Sequence, residues 1–172
     1  LTAYESGTVD GIRSIPTADY ARLKVSGAGV DTVSNYGTVY YNINCSAAPY
    51  DNPLVRKALN LAIDRKALIE NVVQLDATPA YSFLAPGYNV DGKDITDGRG
   101  TFGMSETADV EGAKAALAEA GYPNGEGFPT LKLSYYSNDT VKKIVEAMAE
   151  MFKNNLNIDV EISSNDWAVY YS

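Results

Sequence analysis

The sequence predicts an α/β protein with a mixed sheet and flanking helices, and three stretches carry that prediction. Leu131-Lys-Leu-Ser-Tyr135 alternates apolar and polar residues, and so does Ile158-Asp-Val-Glu-Ile162, the period-two signature of half-buried strands. Between them Val141, Ile144, Val145, Met148, Met151 and Phe152 recur at helical spacing behind the capping residues Asn138 and Asp139, which predicts one long amphipathic helix. Strand, about four turns of helix and strand make a βαβ unit, whose right-handed crossover brings its strands together in parallel.

The remaining elements follow in chain order. Leu1-Thr-Ala-Tyr-Glu-Ser-Gly7 reads as the last turns of a helix closed by glycine. Val9–Ile12 reads as a short strand. Pro16 suits a helix start, so Thr17–Val25 is expected to be helical until Gly27 and Gly29 end it. Val30–Ser34 and Thr38–Asn44 read as two strands joined at Asn35-Tyr36-Gly37. In the second, Val39, Tyr41 and Ile43 share one face, and Tyr40, Asn42 and Asn44 share the other. A strand with that polar second face suits the wall of a wet cleft. Asn52 can cap a helix that has Pro53 at its first position, and Asp64 can cap a second over Arg65–Val73. Residues 76–105 show no sustained period and read as one long surface loop, a length typical of functional or wrapping segments. Asp109–Ala120 is an Ala-rich helix closed by Gly121, and 123–129 is a turn-rich connection. A last helical pattern opens at Trp167 behind Asp166. A helix tail at one end and a helix start at the other fit a piece of a longer polypeptide. Residues 1–172 are expected to form a single lobe.

Composition narrows the chemistry. Hydrophobic residues make up 45% and charged residues 21% of the 172, the balance of a globular chain rather than a disordered one. The longest apolar runs are a few residues, against the ~20 that cross a bilayer. The net charge of −8 repels phosphate backbones, so no nucleic-acid partner is expected. Residues 1–57 carry five acids and five bases, so the acidity belongs to the rest of the chain. There is no histidine, which removes His-based nucleophile pairs, general bases and most zinc or iron sites. Cys45 stands alone and is expected to be a small buried residue. No metal site and no cofactor are expected. Thirteen tyrosines are many for this length, and a ring with a polar tip suits binding surfaces as well as core rims.

Two spelled motifs lack their context. Gly98-Arg-Gly-Thr-Phe-Gly103 follows a polar loop, whereas a dinucleotide fingerprint needs a strand before it and a helix after it. Asp91, Lys93, Ile95 and Asp97 have calcium-loop offsets, but Phe102 stands where a bidentate Glu is needed. Trp167, the single tryptophan, follows a strand end and is either a cover for the sheet edge or a ligand platform.

Thr38-Val-Tyr-Tyr-Asn-Ile-Asn44, Ala48-Pro-Tyr and Val55-Arg-Lys-Ala-Leu-Asn-Leu-Ala-Ile-Asp-Arg65 together resemble the signature region of bacterial extracellular solute-binding proteins of the oligopeptide/dipeptide type. Ala113-Lys-Ala-Ala-Leu-Ala-Glu-Ala-Gly-Tyr122, the two alternating strands and the opening Ala3-Tyr…Val9-Asp10 agree with that family in order and spacing. The resemblance implies a periplasmic-binding-protein-like fold, of which this chain is one lobe on the C-terminal side. It implies peptide capture outside the cell, in the periplasm or on a lipid anchor at the outer face of the cell membrane, without catalysis. The implied partners are a peptide, ABC permease subunits and the other lobes of the same polypeptide. It implies ligand contacts from Tyr36, Tyr40 and Trp167, and from the turn before the long helix, which contains Asn138; Asn42 shares the polar strand face with Tyr40. Some family members carry a histidine in that turn where this chain has Val141. The alternatives are a different solute on the same scaffold (a metal chelate, haem or an oligosaccharide), a carboxylate-based hydrolase, or a purely structural surface domain.

Overall fold

Local chemistry accounts for most of the elements in this computed structural model, which describes residues 1–13, 15–33 and 35–170. α1 (Thr2–Glu5) closes at Ser6, and Gly7 then takes φ 72°, the left-handed conformation that turns a chain out of a helix. Residues 9–12 form turn and coil instead of the expected strand, because the Thr8 and Val9 amides are spent on the Ala3 carbonyl. α2 (Thr17–Ser26) starts after Pro16 and stops at Gly27, again at φ 72°. The strands expected at 30–34 and 38–44 do not form among the described residues (Ser34 lies outside them). An alternating pattern makes a strand only when a neighbour supplies the ladder, and no described segment pairs with either.

From residue 52 the sequence signals hold closely. α3 (Pro53–Leu61) begins where the Asn52 side chain accepts the Leu54 amide at 2.9 Å. α4 (Arg65–Ala67) begins where Asp64 accepts the Ala67 amide at 2.7 Å, and it widens into a π-helical stretch over Leu68–Val73. The long loop contains one short hairpin, β1 (Asn89–Val90) antiparallel to β2 (Lys93–Asp94). α5 (Val110–Glu119) is capped by Asp109, which accepts the Gly112 amide at 2.9 Å. A 3-10 turn (Pro123–Gly125) leads to β3 (Leu131–Tyr136), α6 (Asp139–Leu156), β4 (Val160–Asn165) and α7 (Trp167–Tyr170). β3 and β4 are parallel, from Leu131 opposite Val160 to Tyr136 opposite Asn165. The chain is α/β, and among the described residues its antiparallel and parallel ladders form two separate two-stranded sheets rather than one mixed sheet.

The core gathers where helices meet. α3 packs on α5, and α6 lies against α5, the π-helical stretch and both parallel strands. Val55, Ala58, Leu59, Ala113, Leu117, Met148, Phe152, Leu156 and Ile158 belong to one buried cluster. The alanines on α3 and α5 leave room for the two backbones to approach. Asn155 reaches from α6 to the Ala62 carbonyl at 2.8 Å, which satisfies an acceptor at the end of α3 that has no partner within the helix. β4 is the outer strand, with residues 161–164 exposed. Cys45 is exposed rather than buried, its thiol donating to the Ile43 carbonyl at 3.3 Å, since no sheet forms around residues 38–44 to cover it.

The first 44 residues are held on largely by surface contacts. Asp76, at the start of the long loop, accepts from Lys24 Nζ at 2.6 Å, Tyr20 OH at 2.7 Å and Thr32 Oγ1 at 2.9 Å. One carboxylate thus ties α2 and the segment after it to the loop. The Lys24 ammonium first, then the Tyr20 and Thr32 hydroxyls, hold its carboxyl down at about 2.

Two expectations follow. Phe152→Ala should lower stability by about 3–5 kcal/mol, read as a drop in urea midpoint, because Phe152 is 3% exposed inside the main cluster; a cost below about 1 kcal/mol would place it outside the core. For Asp76 the folded pKa lies below the ordinary value, so its stabilisation is present above that value and is lost as pH falls. The gap in urea midpoint between wild type and Asp76→Asn should therefore be flat near neutrality. It should close as pH falls from about 4 toward about 2. A gap unchanged at the acid end would show that the carboxylate is not what binds the clasp.

Candidate functional site

Residues 36–44 run between two groups of aromatic rings. Tyr36 is 48% and Tyr40 52% exposed. Tyr36 meets Tyr88 with ring centroids 5.8 Å apart, and Tyr40 meets Phe83 edge-on at 4.8 Å. Both partners come from the long loop. Trp167, 56% exposed at the start of α7, meets Tyr136 edge-on at 4.8 Å, and Tyr136 also meets Tyr170 at 5.9 Å. No ring contact among the described residues joins the two groups.

Tyr41 lies between them. Its hydroxyl is buried and has no hydrogen-bond partner among the described residues. Burial first, then the nearby Tyr170 and Tyr136 phenols, pushes its pKa up to about 12, so it stays a neutral donor throughout the physiological range. Although no ladder forms, the expected alternation survives from Tyr40 onward: Tyr40, Asn42 and Asn44 are exposed while Tyr41 and Ile43 are half-buried. Val39 breaks it, at 79% exposed.

The turn before α6 supplies amide chemistry. Asn138 accepts the Thr140 amide at 3.0 Å and the Val141 amide at 3.1 Å through one oxygen. That cap occupies its acceptor and leaves its exposed side-chain NH₂ free to donate. Next to it, the polar face of the parallel pair carries Ser134, with Ser163 Oγ at 3.3 Å and Asn165 Nδ2 donating at 2.9 Å. This hydroxyl and amide row ends at Tyr136, beneath Trp167.

Ser134, Tyr136 and Asn165 were recoverable from strand alternation, which puts them on one face. Phe83 and Tyr88 carried no sequence signal, because nothing periodic marks positions in a long loop. Arg65 fastens the far end of that loop: its half-buried guanidinium donates to the Asn60 carbonyl and side chain at 3.2 and 3.1 Å and approaches Met104 Sδ at 3.2 Å. Burial lowers its pKa. Among the described residues no group of His, Cys, Asp and Glu is placed to hold a metal ion, and no helix is long and apolar enough to cross a membrane. Aromatic faces flanked by amides and hydroxyls are equipped for non-covalent capture.

The chain is similar to several known proteins. The B. subtilis oligopeptide-binding protein OppA is 32% identical over 179 residues, covering 99% of this chain and 31% of its own length. Heme-binding protein A of Haemophilus influenzae is 34% identical, covering 96% of this chain and 29% of its own. A crystal structure of H. influenzae OppA in complex with the peptide RPPGFSPFR shares 31% identity at a TM-score of 0.72, covering 99% of this chain and 33% of its own. The chain thus spans about a third of the length of these relatives. The family described as bacterial extracellular solute-binding proteins, family 5 Middle, matches residues 1–172. With that match running over every residue, the chain belongs to the family 5 bacterial extracellular solute-binding proteins.

Proposed function

We propose that this chain forms one wall of a peptide-binding cleft in an extracytoplasmic receptor that delivers its cargo to an ABC permease. The observation that carries this reading is the alignment of 99% of the chain with a relative whose structure holds a nonapeptide. The site chemistry supports it. Exposed Tyr36, Tyr40 and Trp167 offer flat apolar faces to ligand side chains. Asn42 and the free amide of Asn138 offer hydrogen bonds to a peptide backbone. A wall of this kind discriminates weakly, because water fills what a ligand side chain leaves. Capture occurs when the remaining lobes of the polypeptide close over the wall. The protein binds without turnover, and it does so in the periplasm or on a lipid anchor at the outer face of the cell membrane.

Haem is the competing ligand, favoured by a relative named for it. Titration calorimetry on the full-length protein separates the two. An equimolar pool of peptides two to nine residues long, and hemin in parallel, are offered to the purified protein. Stoichiometric peptide capture with no release of hydrolysed product is expected. Trp167→Ala should weaken the tightest peptide by about 1–3 kcal/mol while the protein stays folded. Hemin capture with no peptide capture would replace the reading, and cleavage of the pool would make the protein an enzyme.

A further inference from the structure

We propose that residues 83–88 of the long loop are the positioning element for the two tyrosines of the cleft wall: Gly87 and Tyr88 seat Tyr36, and Phe83 seats Tyr40. The inference rests on the peptide-binding reading and adds to it the residues that set the orientation of its rings.

The seat under Tyr36 is a matter of space. Gly87 has φ +98°, and a Cβ placed there would lie 2.6 Å from Tyr36 Cε1 and 3.2 Å from Cδ1. The ring therefore lies directly against the glycine backbone, in contact that a side chain of any size removes. Tyr88 meets the same ring at 5.8 Å, tilted 59° to it. Tyr36 itself takes φ 52°, uncommon for a non-glycine residue, and the Asn35 side chain accepts the Gly37 amide at 2.9 Å to hold that turn.

The seat does not depend on the tyrosine it holds. The Gly87 amide donates to Asp94 Oδ2 at 2.8 Å, while Asp94 Oδ1 takes the Thr96 amide at 2.8 Å and the Thr96 hydroxyl at 2.6 Å. The Ile95 amide returns to the Tyr88 carbonyl at 2.9 Å. These bonds brace the loop from inside. Phe83 stands in the adjoining turn, where Ser82 Oγ donates to the Leu84 carbonyl at 2.8 Å. It keeps 68% of its surface exposed yet spends its edge contact on Tyr40. A half-exposed tyrosine has several rotamers open to it, and fixing the ring beforehand removes an ordering cost from ligand capture. The loop thus acts on ligand affinity through Tyr36 and Tyr40.

Double-mutant cycles on the full-length protein test this, with the tightest peptide of the pool above as probe. Gly87→Ala and Phe83→Ala should each weaken that peptide roughly tenfold. Gly87→Ala should have no further effect on affinity in a Tyr36→Ala background, and Phe83→Ala none in a Tyr40→Ala background. Affinity is read on folded protein, well below the thermal midpoint of every variant, which separates positioning from destabilisation. Phe83→Ala adds no backbone strain, so the test survives if Gly87→Ala folds poorly. Unchanged affinity in both single variants, or losses that persist when the tyrosine is already gone, would overturn the inference while leaving peptide binding intact. Tyr36→Ala and Tyr40→Ala without effect on a protein that still binds peptide would overturn it as well. A wild-type protein that captures no peptide would remove the functional reading itself, and the inference with it.

Discussion

One packing event organises the chain: the apolar side of α6 is buried between the parallel strands and the α3–α5 pair. Val145, Met148, Phe152 and Leu156 recur along one side of the helix and are at most 5% exposed. A parallel pair cannot be joined by a tight turn, so β3 and β4 need a crossover, and the crossover helix must bury a face. Here that face also receives α5, and through it α3. The strand ends, the cap at Asn138 and the platform under Trp167 all take their positions from this arrangement. The region before residue 45 does not. It hangs on the Asp76 clasp, on the Tyr36–Tyr88 and Tyr40–Phe83 ring contacts, and on Tyr41, whose ring packs against the core.

That division also explains what was legible in the sequence. Where structure is local, the residues announce it: Asn52, Asp64 and Asn138 each cap the helix they were expected to cap, and the helix expected from Asp109 starts one residue later with Asp109 as its cap. The βαβ unit was legible because its two periods, two and 3.6, adjoin without a break. Residues 30–33 and 38–44 were misread as paired strands because alternation records which face is wet and not whether a ladder partner exists. The exposure of Cys45 follows from the same error. The aromatic residues Phe83 and Tyr88 were invisible for a different reason. Their placement comes from Asp94 and from Gly87, through contacts that no short pattern encodes.

The candidate residues therefore sit on two kinds of support. Trp167 and Asn138 ride on the ends of the βαβ unit, where buried side chains fix the backbone. Tyr36 and Tyr40 ride on a segment without a ladder and rely on a loop that braces itself. Tyr41 joins the two, with a ring packed on the core and a buried hydroxyl that no described residue satisfies. An orphan of that kind carries a desolvation penalty of about 1–3 kcal/mol.

The open edge of β4 has a consequence for handling the molecule. The strand pairs on one side only among the described residues, and its other row of amides and carbonyls faces outward. Such a row is a template for any passing strand. Glu161 is the single charge along Val160–Asn165, and Ile162 is 37% exposed, so little along it discourages a second copy from docking in register. With that edge uncovered, the strand is a candidate for edge-to-edge aggregation, and solubility depends on this one row of backbone groups as much as on surface charge.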